Sequence, residues 1–142
     1  MLLRRQMNKG QTYVELALAF PLLALVLVLV ADFARVFYAS ISVASAARAG
    51  VQYGAQNYTT AIDFYAIQQA ALNDGKNISG LSAVAQDFCM CNGSKVACSP
   101  PQCAQPQLFV QVKANTTFNT LLSYPGVPSQ FPLSSTAVME VQ

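Results

Sequence analysis

KGQTYVELALAFPLLALVLVLVADF, residues Lys9–Phe33, decides the reading of the chain. Leu16–Ala31 is a run of sixteen residues without a charge. As an α-helix it rises about 24 Å at 1.5 Å per residue. That is short of the roughly 30 Å hydrocarbon core of a bilayer. Extension to Gln11 on one side and Phe37 on the other closes the gap. It also brings the Glu15 carboxylate inside the membrane edge, where an unpartnered charge is costly. Pro21 removes one helical hydrogen bond, a loss that membrane helices tolerate. The pattern predicts a transmembrane helix over Tyr13–Tyr38, within a span of 11–38.

The flanks set its direction. Arg4, Arg5 and Lys9 precede the run, three of the eight basic residues of the 142. Cationic flanks stay cytoplasmic, so the part after Asp32 is expected outside. Without residues 1–10, five basic residues face six acidic ones, so no basic face for nucleic acid remains. There is no histidine, which removes the commonest general base and metal ligand. Asp63, Asp74 and Asp87 are dispersed and read as caps or solvated charges. No catalytic, cofactor-binding or metal-binding set is expected, and the chain is not read as an enzyme.

Beyond the apolar run, FARVFYASISVASAARAGVQYGAQN has no proline and carries Ala39, Ser42, Ala46, Gly50 and Gly54. The helix is expected to continue, with Gly50 and Gly54 permitting close packing against the domain or a neighbouring subunit. A second helix is predicted over Thr60–Asn73, capped by Thr59 or Thr60 and stopped at Asp74-Gly75. Leu81–Gln86 reads as a short helical turn. The rest reads as strands: a hairpin around Asn92-Gly93, alternation in Leu108–Phe118, and a last strand over Leu133–Val141 with Ala137, Met139 and Val141 on one side. YPGVPSQFP, residues 124–132, reads as a loop. The fold class is α+β: a long N-terminal helix continuing into a small domain, residues 39–142, with a second helix and a three- or four-stranded antiparallel sheet.

Four cysteines lie within Cys89–Cys103, and a Cys-rich hairpin is expected over 87–104. An even cluster in an exported chain reads as disulfides. If the hairpin loop is Asn92–Lys95, Cys89 faces Cys98 and Cys91 is left for Cys103. Three pairings remain open. A four-thiolate zinc site is the alternative, but C-x-C with C-x4-C lacks the usual C-x2-C spacing.

Residues 1–33 admit a cleavable secretory signal or a plain anchor with Glu15 at the interface. A third reading joins the parts: basic leader 1–10, Gly10, four residues, Glu15, apolar helix. This resembles the type IV prepilin processing motif. The resemblance implies that a prepilin peptidase cuts between Gly10 and Gln11, making Glu15 the fifth residue of the mature chain. The new α-amino group and Glu15 would share a helical face, so that one subunit's amine could partner a carboxylate of the same or a neighbouring subunit.

The likeness extends through Pro21, Asp32, Phe33, Phe37, Tyr38 and Ala46-Ala47-Arg48-Ala49-Gly50, and over this span the chain resembles the TadE-like proteins of the tight adherence (Tad) pilus system. Membership implies a minor pilin-like component, a pseudopilin, because the major pilin is little more than the helix. The implied partners are the prepilin peptidase, other pilins or pseudopilins, Tad assembly proteins and the inner membrane, with no nucleic acid. The competing expectation is an uncleaved, single-pass, membrane-tethered binding module with a disulfide-clipped periplasmic domain.

Overall fold

A computed structural model describes residues 7–101, 103–122, 126 and 128–142, with side chains described from Tyr13 onward. Arg4 and Arg5 of the basic leader lie outside the described residues, as do Tyr124, Pro125 and Val127 of the proline loop. Helix α1 runs Met7–Gly54, followed by α2, Tyr58–Ala61, and α3, Phe64–Asp74. Strands β1, Ser82–Cys91, β2, Ser94–Val96, β3, Gln107–Asn119, and β4, Gln130–Glu140, form one antiparallel sheet in the order β2-β1-β3-β4. The class is α+β, as expected. The chain divides into two units, residues 1–35 and 36–142.

The first unit is the apolar part of α1. From Tyr13 to Ala31 its side chains are exposed, apart from half-buried Ala24 and Val28. Leu18, Phe20, Leu22 and Leu27 are each about two-thirds exposed or more. A helix apolar all round and exposed along this length is suited to lipid rather than to water. Tyr13–Gly54 is long and apolar enough to cross a membrane, and its most apolar window has a mean hydropathy of 2.7.

In the second unit α1 changes character. Ala39, Val43, Ala46, Ala47, Gly50, Val51 and Gly54 are buried, a stripe at helical spacing, and Ala55 just past the helix is buried too. The residues of the stripe are small, so the backbone approaches β3 and α3 closely. A Cβ on Gly50 would lie 3.1 Å from Val112 Cγ2 and 3.2 Å from Ala71 Cβ. Val51, Ala61, Ile67, Ala71, Ala85, Val110 and Val112 form the main core, and Val43, Ala46, Ala47 and Ala114 a second cluster. On β3 the buried positions are alternate ones, Val110 to Phe118, as strand geometry requires. The glycine pair of α1 is thus used inside its own domain.

Four expectations are corrected. The helix predicted over Thr60–Asn73 is two helices, because Asp63 interrupts it: its carboxylate accepts from Ala66 N–H and caps α3. The cap of α2 is Asn57, not Thr59 or Thr60; Asn57 Oδ1 accepts from Thr60 N–H while Thr60 Oγ1 accepts from Asn57 N–H, a reciprocal capping box. Leu81–Gln86 is not helical: from Ser82 it is the first half of β1, held by β3 in the register Ala83↔Ala114 and Ala85↔Val112. The loop expected over 124–132 gives up Gln130, Phe131 and Pro132 to β4, which pairs Phe131 with Phe118.

Candidate functional site

The residues singled out in the leader fall on one helix. Gly10 and Gln11 both belong to α1, and Glu15 follows one turn after Gln11. Residues four apart lie on one face, so position 11 and Glu15 share a side of α1. Glu15 is exposed, beside exposed Val14 and Leu16. A carboxylate set among lipid-facing side chains is the feature that a plain anchor does not need.

A second charged feature closes the apolar run at its other end. Asp32 is only 5% exposed, and Arg35 Nη1 donates to its Oδ1 at 2.9 Å. The pair is i,i+3 on α1, where side chains meet. Ion pairing offsets part of the cost of an aspartate beside sixteen uncharged residues. Opposite charges three apart at the end of the run were the available sequence signal, and the reading of the sequence used only Asp32.

The cysteines gather at the C-terminal end of β1. Disulfides join Cys89 to Cys98 and Cys91 to Cys103, so no thiolate is left for zinc. The turn between β1 and β2 is tighter than the four-residue loop on which the facing of the cysteines was reasoned. Only Asn92 and Gly93 lie outside the pairing, with φ of 51° and 80°, the left-handed conformations of a type I′ hairpin. Cys91 therefore faces Ser94, and Cys89 faces Val96. Cys98 lies two residues past β2 and reaches back to Cys89; Cys103 ties the proline-rich segment 99–106 to the same end of β1.

The outer face of the sheet carries a polar and aromatic patch that sequence reasoning did not find. Phe88 and Phe109, paired in register, stack at 5.4 Å between ring centroids. Lys95 Nζ lies 3.9 Å over the Phe88 ring and donates to Gln111 Oε1 at 3.4 Å. Beside it Val84, Gln86, Gln111, Lys113 and Asn115 line an open trough of about 280 Å³. These residues alternate along strands, so the signal was their shared face.

Residues 10–52 match the sequence model of the TadE-like protein family. The match begins at Gly10 and ends in the small-residue stretch of α1, so β1 to β4 and both short helices lie outside it. No curated protein and no solved structure matches the chain. The matched span overlaps Tyr13–Gly54, the helix long and apolar enough to cross a membrane, so the likeness to TadE-like proteins is a likeness of that segment.

Proposed function

We propose that this chain, TadE-like over residues 10–52, is a minor pilin-like subunit of a Tad-type pilus, a pseudopilin with no enzymatic activity of its own. A prepilin peptidase cuts it between Gly10 and Gln11. Glu15 then accepts the α-amino group of its own or a neighbouring subunit, and the exposed apolar side chains of α1 pack against other helices of the assembly. The observation that carries this reading is the head of the family match: Gly10, Gln11 and Glu15 stand in one helix, immediately before a charge-free run.

Two further features support the topology. The basic residues ahead of Gly10 favour a cytoplasmic N-terminus. Two disulfides in residues 89–103 suit an oxidising compartment, which supports a location outside the cytoplasm for the unit 36–142. That unit is large for a bulk fibre subunit and favours a minor component that selects its neighbours. Its partners are then the peptidase, other pilins and pseudopilins, and the Tad assembly proteins.

Glu15→Ala tests the assembly role. The variant should reach the membrane at the wild-type level and lose at least tenfold in the sheared pilus fraction. Undiminished pili in that variant would contradict the role given to Glu15.

A further inference from the structure

The sheet ends in a long strand whose backbone is paired on one side only. β4 has β3 as its neighbour and lies at the margin of the sheet. In an antiparallel ladder, alternate residues turn both backbone groups toward the partner strand. Val141 N–H donates to Leu108 C=O at 2.9 Å and Thr120 N–H to Ser129 C=O at 3.0 Å, which assigns the odd-numbered residues of this strand to β3. The register is unbroken from Gln130 to Glu140, so the even-numbered residues point outward. Pro132, which has no N–H, falls in that outward set, where its lack costs the ladder nothing.

The outward set is closed at both ends. Pro132 has no donor to give, and Gln142 N–H is held by Ala55 C=O at 3.1 Å. Between them Ser134, Thr136, Val138 and Glu140 turn N–H and C=O to the margin, and among the described residues no backbone group pairs with them there. Natural edges are blunted by lysine, proline or a bulge. Leu133–Glu140 contains none of these, and its one charge is Glu140.

We propose that this edge is an interface for a second copy of the chain, the two β4 strands pairing antiparallel about a two-fold axis at Ala137. The open run has the symmetry for it: Pro132 and Gln142 lie five residues to either side of Ala137. About that axis Ser134 faces Glu140 of the second copy and Thr136 faces its Val138, so each of the four outward residues meets one with both groups free. Glu140 meets a serine rather than its own image. The residues at the axis are two alanines, in a non-hydrogen-bonded pair with Cα atoms about 4.5 Å apart. The neighbouring registers each waste a group. An axis at Thr136 sets Glu140 against Pro132, which cannot donate. An axis at Val138 sets Ser134 against Gln142, whose N–H belongs to Ala55. The interface lies wholly within the unit 36–142 and does not depend on processing at Gly10 or on assembly into a pilus.

Site-specific cross-linking of the full chain in detergent tests it. Ala137→Cys should give a reducible covalent dimer under mild oxidation. Ser135→Cys, whose image lies several residues away along the paired strands, should not. Adding Thr136→Pro to Ala137→Cys should abolish the cross-link, because it removes an outward N–H. It should leave thermal unfolding near that of Ala137→Cys alone, because β3 does not use that N–H. The same proline in the otherwise unmodified chain should halve the protein mass measured by sedimentation. Failure of Ala137→Cys to cross-link in a chain that melts normally would overturn the proposal. So would equal cross-linking from position 135, or a dimer that survives Thr136→Pro.

Discussion

Gly54 of α1 sits so close to Ile67 of α3 that a methyl group on its Cα would come within 2.8 Å of Ile67 Cδ1 and 3.0 Å of Val110 Cγ1. One missing side chain therefore lets a helix, a second helix and a strand share one core. Gly54→Val should overpack this point and destabilise the domain by about 1–3 kcal/mol. Gly54→Ala should cost less, because one methyl group overlaps less than an isopropyl group and the Ile67 terminus can turn aside. Thermal unfolding followed by near-ultraviolet circular dichroism orders the two variants.

The two caps between α1 and β1 make a separate prediction. Asn57→Ala removes the acceptor for Thr60 N–H, and Asp63→Ala the acceptor for Ala66 N–H. Each should cost about 1 kcal/mol. Asp63→Asn should retain most of the stability, because an amide oxygen also caps. Equal losses for Asp63→Ala and Asp63→Asn would show that charge, rather than the hydrogen bond, is what matters at that position.

The disulfides should differ in what they hold. Cys89–Cys98 spans nine residues and clips the end of the β1–β2 hairpin; Cys91–Cys103 spans twelve and tethers the segment that leads into β3. Replacing either pair with alanines should lower stability by about 2–4 kcal/mol while the other pair still forms. Non-reducing peptide mapping of each double variant checks the pairing, and denaturant unfolding checks the loss.

What the sequence disclosed follows from how strongly each segment is constrained. The apolar half of α1 was plain because lipid asks for one thing, absence of charge, over a long stretch. Its second half was plain because Ala39, Ala46, Gly50 and Gly54 recur at helical spacing. Asn92-Gly93 was plain because only such residues adopt the left-handed conformations of a two-residue turn.

The failures are local conflicts. β1 begins LSAVAQ, with alanines at the inward positions 83 and 85 and apolar Val84 outward, so the alternation that identifies a strand is blurred. Pairing with β3 makes it a strand, and β3 lies more than twenty residues further along the chain. Asp63 was weighed as a cap, but the apolar spacing across it suggested one continuous helix. The role of the small residues on α1, packing within the domain rather than between subunits, depended on knowing that Val110, Val112 and Ile67 would lie opposite. The even-numbered edge of β4 was invisible until the hydrogen bond from Val141 fixed which residues serve β3.

The central claim is that Gly10–Gln11 is a processing site ahead of a pilin-like assembly helix. The most direct measurement is the intact mass and N-terminal sequence of the membrane-extracted chain, from cells with and without prepilin peptidase. The account predicts a chain beginning at Gln11 only when the peptidase is present, and one still carrying Arg4, Arg5 and Lys9 when it is absent. A chain retaining those residues in both would contradict it. Glu15 would then have no new amine to meet, and the protein would stand as an uncleaved membrane tether for its disulfide-clipped domain.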